Sequence, residues 1–537
     1  MSSTPRSCLK PLAAVLVVAF AIAGCGSAQR SGTPDRFVVI DAEELGGLNP
    51  LMGHGDSGES KIYESLYRVT EGQDDRIPDA TPVLAQGPPV PVNGDLSHWR
   101  VKTRPGIHFS DGTPFGPRDV AATYNAVIDK RFAAPIAANF DFIKSAEVIG
   151  PNTVDFHLTG AYGDVAHRLF LSIAPAASLA KAEPADQSRL NDHPIGTGPY
   201  ALTELRPDQM VLTARPGYWG SAPGIRTFVV RRTDDDKARA AQLVGNADGT
   251  RLPPELAKAV AKDGYRVITA KTDDWLGVTL PQADPVAGDL AIRRALNLGV
   301  DRDAMVRDIL KGEGQPVSTL VTAQYGDAYD SAQDFSNLPE QANRELDSAG
   351  WQLGPDGIRA KDGRRARFDL AYYPTDLLRR DIAMATVADA KRLGIEINPV
   401  AVEKSTMTED YITKTAFLLG GGGQPYTLDT QLYPKFHSKY APAGVGSKWD
   451  NASRYVNHTM DRILDEARTE TDVRERDALY REFQAEYHRN PPMLALVNEN
   501  HVYVMRDNGW RPGPTALEPH THGVAWGPWY SLPRWTR

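Results

Sequence analysis

Both cysteines of this 537-residue chain, Cys8 and Cys25, lie within its first 25 residues, so the long body from Gly26 onward carries no thiol. No disulfide can close a loop in that body, and its stability has to come from buried apolar surface. A chain of this length can bury enough of it, and has room for two or three domains. The formal net charge of −8 argues against nucleic acid as a partner, because phosphates call for a basic face. It argues equally against adhesion to anionic lipid through charge alone.

The first ten residues hold Arg6 and Lys10 and no acid, and residues 11–23 (PLAAVLVVAFAIA) then run apolar up to Gly24-Cys25. This is the layout of a signal peptide, with an apolar run shorter than the roughly 20 residues of a membrane span. Ile22-Ala23-Gly24-Cys25 resembles, position for position, the lipobox of bacterial lipoproteins. The resemblance implies cleavage before Cys25, acylation of Cys25, and anchoring through acyl chains to the outer face of the cell membrane. An ordinary secretory signal ending near a cysteine is the plainer alternative. Residues 1–24 are therefore read as a lipoprotein signal peptide and 25–36 as a flexible tether, whose small polar residues give a reach of roughly 18 Å. Loss of Arg6 and Lys10 would take the charge from −8 to about −10. No later apolar run is long enough to span a membrane.

In the body, FVVI at 37–40 reads as a strand, followed by the turn-rich GGLNPLMGHGDSG. Ile62, Leu66 and Val69 at helical spacing predict a helix over 59–69, with Asp56 and Glu59 as a capping box in front of it. Two strands are expected at 99–102 and 107–109 around Pro105-Gly106, a helix over 119–129, and a hairpin over 148–158 turning at Pro151-Asn152. Further helices are expected over 289–298, 302–311, 341–349, 377–393, 459–467 and 474–488, and a last strand over 501–505. No period of 20–50 residues repeats, which excludes solenoids and propellers. The class is mixed α/β.

Blocks spread over most of the body resemble the peptide/nickel-type (family 5) extracytoplasmic solute-binding proteins of ABC importers, such as oligopeptide- and dipeptide-binding proteins. They are WRVKTRPGIHFSDGTPFGPRDV at 99–120, IGTGPY at 195–200, RPGYW at 215–219, AIRRALNLGVDR at 291–302, AGW at 349–351, and the D-x-x-x-R-x-x-L-Y helix at 472–480. Gly196 and Gly198 suit tight turns and Asp111-Gly112 a hairpin, while Trp99, Trp219 and Trp351 read as core. The resemblance implies a two-lobed periplasmic-binding-protein-like (type II) α/β fold with an extra subdomain inserted in the first lobe. Lobe I would comprise 37–63, 159–270 and 497–537, the inserted subdomain 64–158, and lobe II 271–496. It implies a monomer that binds a solute, makes and breaks no bond, and delivers to membrane permease subunits.

The resemblance also places the ligand against three segments. The first is the turn after the opening strand, with Asn49 and His54; the second is the start of lobe II, with Trp275. The third is the late loop LGGGGQPYTLD, with Gly421, Gly422, Gly423, Gln424, Tyr426 and Asp429. Peptide-binding relatives carry a Trp and then an Asp in this loop, the Asp pairing with a ligand amine. Here a glycine and Gln424 stand near those positions. A neutral Gln lacks the charge-assisted bond of an Asp, about half the strength being lost. The expected ligand is therefore a peptide-like or other polar solute held through backbone groups and aromatic contacts, with Asp429 as the available acid. A surface loop of four glycines is the bland alternative.

Gly55-Asp56-Ser57-Gly58 reads like a serine-protease nucleophile motif, but no upstream His-bearing barrel strand accompanies it. There is no H-E-x-x-H, no G-x-S-x-G and no Walker loop, so neither catalysis nor a resident cofactor is expected. His520 and His522 alternate as two metal ligands would, without a third nearby; the resemblance alone leaves a metal-bearing solute open. A second function remains beside transport, namely a lipoprotein of the same fold acting as regulator or scaffold in envelope biogenesis. Adjacent permease and ATPase genes would favour the first.

Overall fold

The computed structural model describes residues 35–422, 426–520 and 523–537. Cys25, the signal peptide and the tether up to Pro34 lie outside the described residues, as do Gly423, Gln424 and His522.

The opening strand, Arg36–Asp41, buries every residue after Arg36. A strand covered on both faces belongs in the interior of a sheet, and this one runs parallel to Thr227–Arg232 on one side and Gly249–Arg251 on the other. The complete seven-stranded order is Tyr265–Ala270, His501–Arg506, Gly249–Arg251, Arg36–Asp41, Thr227–Arg232, Gln209–Ala214, Tyr200–Arg206. Its strands come from both ends of the chain.

A second sheet of six strands is ordered Gly314–Pro316, Met493–Glu499, Trp275–Thr279, Ala416–Gly421, Arg367–Tyr372, Glu396–Ala401. Helices Leu290–Gly299, Leu377–Arg392, His458–Thr469 and Val473–Arg489 belong to the same lobe. Asp289, Asp376, Asn457 and Asp472 start them by accepting first-turn N–H groups. The largest apolar core lies here and encloses Trp275, Trp351 and Tyr487. A four-stranded antiparallel sheet (Val90–Val92, Asp95–Lys102, Thr153–Leu158, Ile143–Gly150) packs on helix Pro117–Ile128 around Tyr124 and Phe156. Among the described residues no helix is long and apolar enough to cross a membrane.

Three local expectations are corrected. The helix over 59–69 does not form, because its main chain is bonded sideways. The Gly198 N–H donates to the Ile62 carbonyl at 2.8 Å, that of Tyr200 to Lys61 at 3.1 Å and that of Ala85 to Leu66 at 3.2 Å. Ile62 and Leu66 are buried, but by neighbouring segments, and only Tyr67–Val69 becomes regular, as a strand. Asp56 and Glu59 thus cap no helix; the Glu59 carboxylate accepts the Ser57 N–H instead. Residues 107–109 make a single bridge, His108 to Pro114, rather than a strand. Trp99 and Trp351 are core, but Trp219 is 38% exposed and donates its Nε1–H to Glu64 at 2.7 Å.

Gly196 and Gly198 answer to close approach rather than to a turn. A Cβ at 196 would stand 2.1 Å from the Ile62 carbonyl oxygen, and one at 198 would stand 2.6 Å from it.

Candidate functional site

The chain passes between the two large sheets twice, from Tyr265–Ala270 to Trp275–Thr279 and from Met493–Glu499 to His501–Arg506. The crossings lie side by side, the Glu499 N–H donating to the Asp274 carbonyl at 2.9 Å. The C-terminal tail lies along the first of them: the Asp273 N–H bonds the Glu518 carbonyl at 2.8 Å and the Glu518 N–H that of Lys271 at 2.9 Å.

A buried hub of charge holds this bundle. His501 is fully buried, with Nδ1 2.7 Å from Glu518 and Nε2 2.9 Å from Asp274. The other Asp274 oxygen stands 2.7 Å from His520 Nδ1, Arg251 reaches Glu499 at 3.1 Å, and the Tyr503 hydroxyl donates to Glu518 at 2.8 Å. Burial, and then Arg251, push the His501 pKa down; the Asp274 and Glu518 carboxylates outweigh both and hold it above its usual value. Burial would raise Asp274, but His520 and His501 keep it well below the usual carboxylate range. Glu499 is raised by burial despite Arg251. Asp274, Glu499 and His501 bring ligand-type atoms within 4.8 Å of one another. Each is already engaged by a protein partner, so the group is a set of ion pairs and not an open cage for a metal.

Tyr426, expected from the resemblance as a ligand contact, packs against residues from distant parts of the chain. Its ring is buried edge-on to Phe170 at 6.4 Å and Trp526 at 6.3 Å, and its hydroxyl donates to the Leu517 carbonyl at 3.0 Å. Its φ of +53° lies in the left-handed region, at a cost of order 1 kcal/mol for a residue with a β-carbon. Trp526 stacks on Tyr530 at 5.0 Å, and its buried Nε1 has no hydrogen-bond partner among the described residues. The same holds for Trp275 Nε1 and for both side-chain polar atoms of Asn498. Trp275 and Asn498 face each other across neighbouring strands, next to the crossings.

The remaining candidates are placed as follows. Asn49 is buried; its Oδ1 accepts the Leu51 N–H and its Nδ2 donates to the Ala185 carbonyl. His54 is half-buried: Nε2 lies 3.0 Å from the Ser60 hydroxyl, and burial lowers its pKa to about 4. Beyond it the buried Lys61 donates to the Glu59 and Ala525 carbonyls, and burial lowers its pKa to about 7. Gly420 and Gly421 are not loop but the end of a strand paired with Leu276 and Trp275. A Cβ on Gly421 would lie 2.6 Å from the Trp275 ring, and one on Gly422 2.7 Å from the Asp273 carbonyl. At Gly420, Gly421 and Gly422 a side chain would thus meet packed neighbours. Asp429 is buried against Arg168 and Arg468. Sequence reasoning missed Arg168, His501, Glu518 and Trp526. The signal for Arg168 was a charge inside the apolar run VAHRLFLSI.

Residues 79–442 match bacterial extracellular solute-binding proteins, family 5 Middle. The chain belongs to this family. Protein XP55 of Streptomyces lividans is 37% identical over 495 residues, covering 90% of this chain and 87% of that one. NikZ of Campylobacter jejuni, solved in complex with Ni(L-His), superposes with a TM-score of 0.84 at 22% identity, covering 94% and 100% of the two chains. AppA of Bacillus subtilis, in complex with a nonapeptide, gives 0.77 at 22% identity over 93% and 98%. The two-lobed α/β fold is thus that of the family 5 binding proteins.

Proposed function

We propose that this family 5 protein is a lipid-anchored receptor that captures a peptide or peptide-like solute between its lobes and hands it to an ABC permease. The lobes divide near residues 270 and 497, with 64–158 as the insertion. What supports the ligand class is that, among the described residues, the side chains with buried polar atoms lacking a protein partner include Trp526 beside Tyr426, and Trp275 and Asn498 beside the crossings. Buried donors are as a rule satisfied, and leaving one unmade costs about 1–3 kcal/mol. Two indole N–H groups and one amide suit a solute that offers carbonyl oxygens and an N–H in alternation, as a peptide backbone does. The nonapeptide in AppA supports the same class.

Native mass spectrometry of the membrane-extracted protein tests it directly. Peptide-sized mass additions that fall away on collisional activation are expected, followed by binding of the matching synthetic peptide in calorimetry. Retention of only a metal complex, with no peptide bound, would sink the peptide assignment. The anchor rests on the lipobox residues. Cys25→Ser is expected to abolish palmitate labelling and release the protein into the medium; an unchanged membrane-bound pool would refute it.

A further inference from the structure

Asp429 stands at the first turn of helix Leu428–Phe436 and is 5% exposed. Both of its oxygens are engaged by the protein. Oδ1 receives Arg468 Nε at 2.7 Å; Oδ2 receives Arg168 Nη1 at 2.9 Å, Arg468 Nη2 at 3.1 Å and the Tyr162 hydroxyl at 3.4 Å.

The two arginines differ in origin. Arg468 lies in helix His458–Thr469, in the same lobe as Asp429. Arg168 comes from the other side of the interface, follows the four-stranded sheet in the chain, and is 1% exposed. Its guanidinium sits 4.0 Å from the Phe142 ring centre, and Nη2 donates to the Asn139 carbonyl at 2.7 Å. Beside it a second pair crosses the same boundary, Lys439 to Asp141 at 3.1 Å. Separation of the lobes would keep Asp429–Arg468 and break Arg168–Asp429.

We propose that Arg168 and Asp429 form a latch by which the protein's own charges favour the closed arrangement before any solute is present. The proposal rests on the reading of the chain as a receptor whose lobes open and close. A solute then acts on an equilibrium already biased, and its apparent affinity scales with the fraction of closed protein. Asp429, the acid that sequence reasoning offered to a ligand amine, is on this account a closing element.

Single-molecule energy transfer tests it on the full chain, with Cys8 and Cys25 replaced by serine and dyes on Asp208→Cys and Lys391→Cys, two exposed positions on different lobes. Protein stripped of solute by unfolding and refolding is compared with the same protein carrying Arg168→Met, which keeps the bulk and removes the charge, and with Arg168→Lys. The wild type is expected to populate a closed state without solute. Arg168→Met should lower the closed-to-open ratio at least tenfold, with Arg168→Lys in between and the circular dichroism unchanged. A wild type closed only when a mixture of synthetic di- to nonapeptides is added, or an Arg168→Met protein with the wild-type ratio, overturns the latch and leaves the receptor reading intact. A distance between the dyes that no added peptide changes, in wild type or variant, overturns the receptor reading and the latch with it.

Discussion

His501 Nε2 stands 2.9 Å from an Asp274 oxygen, so the two segments that carry the chain between the large sheets are joined by a buried ionisable pair. Its two partners titrate in opposite senses. The His501 pKa is raised above 6.5, so its contribution is complete below about that pH and is lost as pH climbs through the higher folded value. Asp274 is depressed below 3.8, so its contribution is present above that pH and is lost as pH falls through the lower folded value. The pair is therefore whole from about pH 4 to 6.5. The difference in Tm between wild type and His501→Gln should be largest in that window and shrink towards pH 9. A difference that grows with pH would contradict the assignment.

Gly196 is expected to be intolerant for a reason that its backbone angles do not reveal. Gly196→Ala puts a methyl 2.1 Å from the Ile62 carbonyl oxygen, an overpacking that costs about 1–3 kcal/mol or more. Gly217→Ala, at φ +73° with open space around it, should cost about 1 kcal/mol. Thermal unfolding of the two variants should rank them in that order.

Tyr426→Phe keeps the ring between Phe170 and Trp526 and removes only the bond to Leu517. The loss is about 1 kcal/mol. Because that bond joins the two lobes, it should appear as a roughly fivefold drop in the closed-to-open ratio, read by the same energy-transfer pair. Equal ratios would mean that the phenol contributes nothing to closure.

Trp526→Phe deletes an Nε1–H that has no partner among the described residues and keeps an aromatic ring against Tyr530. Affinity for the peptide identified by mass spectrometry should fall about tenfold, and Tm should fall modestly because the smaller ring leaves a cavity at a fully buried site. Unchanged affinity would place the ligand elsewhere.

Most regular elements were legible because their periodicity agrees with local capping. Asp289, Asp376 and Asp472 each precede a helix that the apolar spacing had predicted. The segment at 59–69 failed for the complementary reason. Its spacing of Ile62 and Leu66 is helical, yet its carbonyls are claimed by Gly198, Tyr200 and Ala85, which lie far along the chain. The site was half legible. Tyr426 and Asp429 were singled out, but as ligand contacts, since nothing local tells Asp429 that Arg168, 261 residues earlier, will reach it. The glycines at 420–422 pointed to a loop because the groups that need their bareness, such as the Trp275 ring against Gly421, lie on other segments.

The place of His501–Arg506 within the first sheet has a consequence for the order in which the molecule can be assembled. That strand is inserted between Tyr265–Ala270 and Gly249–Arg251, so an emerging chain can complete the contiguous second lobe while the first still has a gap in the middle of its sheet. Until the last 40 or so residues arrive, two inward edges with unpaired N–H and C=O groups stay open to other chains. A nonsense mutation just before residue 501 would therefore leave a protein with one finished lobe and one adhesive one, a product for proteases and chaperones rather than a smaller receptor.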